Sequence, residues 1–251
     1  MAQSGLHGVV GLAVVRSIAG RLPGRSSSAA GKDGISNSRV KEFRRGITFG
    51  FVLGNILPDA DLLPLAITFL FDSRLAMRMH RTATHSLVVI ILLTLMGWLL
   101  AKGRGKAVAL GLGIGAISHS VLDIFLWFSP VDLLWPLGIW GIPSEVNLWA
   151  GVETGRFVGN FLGALDYLAF AFYYVLLARI ARRRETNMEF LPRLNLFTGL
   201  NVAFFAVYTV LSFVLSKGLF EIAHYAMFVL AFFPIAVYTT VKMRDTIEAL
   251  L

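Results

Sequence analysis

Apolar residues run along this chain in long unbroken blocks, not at every third or fourth position. A spanning helix needs about 20 predominantly apolar residues, and blocks of that kind recur near residues 84–101, 107–128, 157–180, 196–216 and 222–241. A further block at 46–71 is interrupted by Pro58, Asp59, Asp61 and Pro64. Proline removes a backbone donor and clashes with the preceding turn, so this block predicts a broken helix. The short apolar run Val9–Val15 meets Arg16, without a basic segment before it or a small-residue cleavage site after it. It predicts a short N-terminal helix and not a cleaved signal peptide. Residues 22–38, rich in Ser, Gly and Ala without periodicity, predict a flexible loop. The expected fold class is therefore all-α, a polytopic transmembrane helical bundle of about six to seven membrane helices, including one short N-terminal and one Pro-broken helix. No repeat of solenoid length interrupts it, and residues 1–251 read as a single membrane domain.

Composition agrees. A chain that is 56% hydrophobic and 15% charged is too apolar for an ordinary soluble fold, so the lipid bilayer is its expected partner. The formal charge of +8 would suggest nucleic acid in a soluble protein. Here Arg44-Arg45, Lys102–Lys106 and Arg182-Arg183-Arg184 flank apolar blocks, as cytoplasmic loops do, so no nucleic acid is expected. If each block crosses once and residues 21–45 are cytoplasmic, only Arg74, Arg78, Arg81, Arg156 and Lys217 of the 23 Lys and Arg fall on the other side. The expectation is a multi-pass protein integral to the cell membrane with its basic loops cytoplasmic. The trio at 74–81 is the exception to the rule. The absence of cysteine excludes disulfides and thiolate metal ligands.

Four of the five histidines lie beside carboxylates or other histidines: His7, then Asp59 and Asp61, then His80 and His85 flanking Arg81, then His119 with Asp123. Ionisable residues within apolar helices are costly and are functional candidates by default. His119 and Asp123, four apart, share a helix face and can converge on one ion. Counting about 1.5 Å per residue from the nearest cytoplasmic basic residue places His7, Asp59, His85, His119 and Asp123 all at roughly 20–25 Å. That common level is the outer half of a hydrocarbon core about 30 Å thick. His80 and His85 are five apart, so on a helix one binds while the other orients a ligand. Asp59 has an alternative reading as a helix cap after Pro58. His224, near Glu221 only, reads as a packed or interfacial histidine, and the five tryptophans as interfacial anchors.

These residues carry a resemblance. Leu57-Pro58-Asp59-Ala60-Asp61, His80-Arg81, Thr84-His85-Ser86-Leu87, Gly115–Asp123 with Ser118-His119 and Leu122-Asp123, and Leu134-Trp135-Pro136 resemble the YdjM-like family of membrane-bound, metal-dependent hydrolases. The resemblance covers about the first 140 residues; residues 141–251 match only as additional transmembrane helices. Arg81-Thr82 stands where that family has Arg-Gly. The ligand order is also similar to that of zinc-dependent phospholipase C enzymes, without their later His-x-x-x-Glu pair.

The family implies a site of His7, Asp59, Asp61, His80, His85, His119 and Asp123 holding one or two divalent ions. Zn²⁺ stands first, and Mn²⁺ or Fe²⁺ also suit imidazole and carboxylate. The expected chemistry is hydrolysis of an ester or phosphoester by metal-activated water. Asp61 or Asp123 would hold or deprotonate the nucleophile, and Arg81 would stabilise an anionic group. The level of the site makes a lipid or lipid-linked substrate more natural than a soluble one. The rival class is a non-catalytic membrane protein, either a divalent-metal transporter or a metal-stabilised scaffold. Small residues at 111 and 115 on one block and 155, 159 and 163 on another predict that blocks 107–128 and 157–180 pack together and bring Asp166 to the site.

Overall fold

With no water in the hydrocarbon core, backbone N–H and C=O groups must be satisfied within the chain, and long apolar blocks become helices. The computed structural model describes residues 4–21, 34–72, 75–76 and 79–251. The elements are α1 (Ser4–Arg21), α2 (Gly34–Gly54), a 3₁₀ turn (Leu57–Asp61), α3 (Leu62–Phe71), α4 (Leu87–Leu100) and α5 (Arg104–Leu126). A two-residue ladder follows, β1 (Val131–Asp132) against β2 (Glu145–Val146), antiparallel with Val131 opposite Val146. Then come α6 (Arg156–Arg184), α7 (Leu191–Val214), α8 (Lys217–Met227), a π turn (Phe228–Phe232), α9 (Phe233–Lys242) and α10 (Arg244–Glu248).

Among the described residues, four helical stretches are long and apolar enough to cross a membrane: α5, α6, Met188–Val214 and Lys217–Lys242. Ser38–Gly54 and Leu57–Thr68 form a bent pair, broken by 49° ahead of Pro58, as the proline predicts. Ser4–Ala19 and Leu87–Leu100 are shorter apolar helices. Where six to seven membrane helices were expected, the described residues thus hold four spans, or five if the bent pair crosses once, and two shorter apolar helices. The block at 84–101 is corrected, because Ser86 caps α4 through Val89 N and the helix has 14 residues, about 21 Å. The loop expected at 22–38 ends sooner, since α2 begins at Gly34; residues 22–33, with Arg74 and Arg78, lie outside the described residues.

Two contacts organise the bundle. α2 and α5 meet through glycines, so that a Cβ on Gly50 would lie 2.3 Å from Val108 O and one on Gly111 2.3 Å from Ile47 O. Gly54 and Gly115 repeat the arrangement one turn further along. The glycines of α5 thus face α2, which corrects the expected pairing with the 157–180 block. Periodicity identifies a close-packing face but not its partner. α6 packs instead on α1, where Gly5 abuts Phe170 N and Gly8 abuts the Tyr173 ring, and on α7. The second contact is the aromatic core where Tyr167, Phe170, Tyr174, Tyr208, Phe228 and Phe232 stack.

The basic ends of several helices meet. Gly46 approaches Arg104, Arg104 and Arg244 both pair with Glu248, and Asn187 accepts from Thr246 N. One end of the bundle is therefore basic, and His119 and Asp123 lie towards the other end of α5.

Gly111→Ala is expected to destabilise the protein by about 1–3 kcal/mol, because the added methyl meets only backbone. Gly199→Ala, with nothing within 4 Å, should leave stability unchanged or slightly raised. Thermal unfolding of both variants in detergent checks this, and equal stability would contradict the packing assigned to α2 and α5.

Candidate metal centre

Four segments deliver the polar groups. α1 supplies Ser4 and His7, one turn apart on one face. The 3₁₀ turn after Pro58 supplies Asp59 and Asp61. The irregular segment 80–86 supplies His80, Arg81, Thr84 and His85, and α5 supplies His119 and Asp123. All are buried except Asp61 and Thr84, which are partly exposed.

The segment 80–86 is held from outside. Arg81 adopts φ +68°, a conformation that costs a non-glycine residue of order 1–3 kcal/mol. Its N–H donates to Asp61 Oδ2 at 3.3 Å and its C=O accepts from Asp132 N at 3.1 Å. Ser86 Oγ donates to Trp135 O at 2.6 Å, and Leu87 N to Leu133 O at 2.8 Å. The small β-ladder thus clamps this turn. The left-handed residue is Arg81 and not Thr82, so the departure from Arg-Gly imposes no strain at Thr82 itself.

Three imidazoles present Nε2 inward. His119 Nδ1 lies 2.8 Å from the Asn55 carbonyl, His80 Nδ1 2.9 Å from Asp61 Oδ1, and His85 Nδ1 3.0 Å from Thr84 Oγ1. The Thr84 hydroxyl in turn donates to Asp61 Oδ2 at 2.9 Å. A carbonyl, a carboxylate and a hydroxyl that spends its hydrogen elsewhere all accept, so each Nδ1 carries a proton, and a neutral ring then keeps its lone pair on Nε2. His85 Nε2 and His119 Nε2 are 3.1 Å apart. Asp59 Oδ1 lies 3.6 Å from His119 Nε2, 3.8 Å from His85 Nε2 and 4.0 Å from His80 Nε2. Asp123 Oδ2 lies 3.4 Å from His85 Nε2 and 3.9 Å from His119 Nε2.

Both His80 and His85 therefore aim at Asp59. The helical spacing that admits only one of them does not apply, because the chain between them is a turn. Asp61 stands behind His80, with both oxygens engaged by His80, Arg81 N–H and Thr84. Its side chain does not serve as a helix cap. Arg81 Nε pairs with Asp123 Oδ2 at 3.1 Å, and its guanidinium lies over the Trp127 ring. His7 stacks on His119 with ring centroids 3.7 Å apart, and its Nε2 lies 3.0 Å from Asp123 Oδ1. Asp166 accepts from Gly5 N at 3.2 Å on α1, beside Ser4, and is not in either ligand group. His224 packs among Tyr167, Tyr208 and Phe220.

Among the described residues, two groups have the spacing of a metal site, Asp59 with His85 and His119, and His7 with His119 and Asp123; ligand atoms in each lie within 4.8 Å of one another. The donors fit a divalent ion. With bonds of about 2.0–2.1 Å, two nitrogens on one metal are separated by about 2.9 Å at a right angle and about 3.3 Å at the tetrahedral angle. The 3.1 Å between His85 and His119 lies between these.

Sequence reasoning missed three contributors. Ser4 donates its hydroxyl to Asp59 Oδ2, and its position three residues before His7 was a usable signal. Thr84 sits within the quoted motif, one residue from a candidate ligand. The Asn55 carbonyl carries no signal, since any residue there has one.

Fold and site together define a polytopic helical membrane protein that buries imidazoles and carboxylates towards the non-basic end of its bundle, in an arrangement able to hold a metal ion. The chain belongs to the YdjM inner membrane protein family, whose model matches residues 1–244. The match corrects the extent of the resemblance, because it takes in the helices beyond residue 140. Curated proteins and solved structures yield no match to the chain.

The cluster should be dispensable for insertion, which depends on summed hydrophobicity, so that removing a polar residue from the span can only favour it. His119→Ala and Asp123→Ala are expected to insert at least as well as the parent chain. Alkaline extraction of membranes measures this, and release of either variant would contradict it.

Proposed function

We propose that the protein is a membrane-bound, metal-dependent hydrolase of an ester or phosphoester, with a lipid or lipid-linked substrate. The observation that carries this reading is the 3.1 Å approach of His85 Nε2 and His119 Nε2. With both Nδ1 hydrogens committed to oxygen acceptors, two neutral rings would set lone pair against lone pair inside an apolar bundle. A cation between them removes the conflict.

His85, His119, Asp59 and Asp123 would form the ligand set, with His80 as a further donor. His119 has one free nitrogen, so the two candidate groups share a single donor atom, and one ion is the reading the geometry favours. Imidazole and carboxylate without sulfur suit Zn²⁺, with Mn²⁺ or Fe²⁺ as alternatives. When bound, the ion acidifies a water and polarises the scissile oxygen. Asp61 orients His80 through Nδ1 and, by way of Thr84, His85. We assign it this positioning role in place of direct ligation or proton abstraction. His7 and Arg81 hold Asp123 from either oxygen, and Arg81 compensates the excess of carboxylates. With both oxygens so engaged, Asp123 would hold the nucleophile in place and not abstract its proton. The basic end of the bundle would face the cytoplasm, with the site in the outer half.

Purified protein is expected to contain stoichiometric Zn, Mn or Fe by elemental analysis and to hydrolyse membrane lipids only while that metal is present. His119→Ala should lose the metal, and Asp61→Asn should keep it with about 10–100-fold weaker affinity, the usual effect of losing an orienting group. Unchanged metal content in His119→Ala would refute the ligand set. Metal uptake into proteoliposomes without any hydrolysis would favour a transporter instead.

A further inference from the structure

On its side the bundle carries an apolar groove of about 270 Å³ that reaches Thr84, beside the candidate metal centre. Gly54 and Pro58 form one wall, Val89 and Leu93 of α4 the other, and Ala116 of α5 lies in the floor. Thr84 stands at the end of the groove, and its hydroxyl bonds Asp61 and His85. Partway along, α4 and α5 touch in its floor, since a Cβ on Gly113 would lie 2.0 Å from Thr94 Oγ1. From Val89 to Gly97 the groove follows α4 for about 12 Å.

We propose that this groove is the acyl-chain subsite of the enzyme, and that a glycerolipid enters it sideways from the bilayer with its ester or phosphoester at Thr84. The proposal rests on the hydrolase reading above. Three observations name the occupant. The face beside the groove is lipid-exposed, with Leu92 and Leu93 of α4 at 60% and 56% exposure. The Thr94 hydroxyl on the groove wall is spent on the Ile90 carbonyl at 2.6 Å, so no side-chain donor is left there to recognise a headgroup or a peptide. A packing helix needs an interaxial distance of about 8–10 Å, more room than a groove of about 270 Å³ floored by the α4–α5 contact gives, whereas a single hydrocarbon chain fits a slot.

The test uses the full chain in nanodiscs that contain phosphatidylglycerol with a photoactivatable acyl chain. Cross-links should map to the walls and floor of the groove several-fold above those at the apolar depression between α6 and α7 lined by Leu168, Phe172 and Thr198. Ala116→Phe and, as a second blocking variant at an exposed position, Leu93→Trp should abolish the excess and depress hydrolysis of long-chain lipid more than that of short-chain ester. Equal labelling of both depressions would mean annular lipid only and would overturn the subsite, as would unchanged labelling in both variants. Groove-specific labelling of a protein that hydrolyses nothing would uphold the lipid site and overturn the hydrolase reading, so the two failures are distinguishable.

Discussion

The geometry of the site depends on how closely two helices can approach. Gly50 and Gly54 on α2 face Gly111 and Gly115 on α5, and any side chain at these positions would collide with backbone. Only that approach lets the carbonyl of Asn55, one residue past Gly54, reach Nδ1 of His119, one turn past Gly115, at 2.8 Å. The contact fixes the tautomer and the direction of His119, and His119 belongs to both groups able to hold a metal. A bundle packed on leucines would separate these groups by several ångströms, because helices bearing larger residues stand further apart.

Charge economy then fixes the remainder. Burying Asp59 and Asp123 in an apolar bundle is costly unless each oxygen finds a partner. Ser4 covers one oxygen of Asp59, while His7 and Arg81 take the two oxygens of Asp123. The oxygen of Asp59 that faces three imidazoles has their Nε2 atoms 3.6–4.0 Å before it, and this leaves room for a cation. The β-ladder and the left-handed Arg81 serve the same end, since they hold His80 and His85 without help from a helix.

Much of this was legible in the sequence. Block length gave the helices, Pro58 the break, and the clustering of histidines beside carboxylates the ligand candidates, because each signal is local and costly to place by chance in an apolar chain. Partners were less legible. The glycines of α5 revealed a close-packing face, yet the neighbour is α2 and not the helix that bears Asp166, since spacing describes one helix at a time. The pair His80 and His85 lies on a turn and not on a helix, so its spacing alone did not show that both rings face Asp59, although only His85 falls in a ligand group. The Asn55 carbonyl was invisible, as main-chain acceptors are. The short α4 also escaped, because hydropathy marks apolar residues and does not register that Ser86 starts the helix late.

The most direct measurement of the central claim is X-ray absorption spectroscopy at the metal edge of the purified protein. The account predicts a bound first-row metal with nitrogen and oxygen neighbours only, imidazole scattering from at least two histidines, and distances near 2.0–2.2 Å. A protein that carries no stoichiometric metal, or a metal without imidazole scattering, would contradict it.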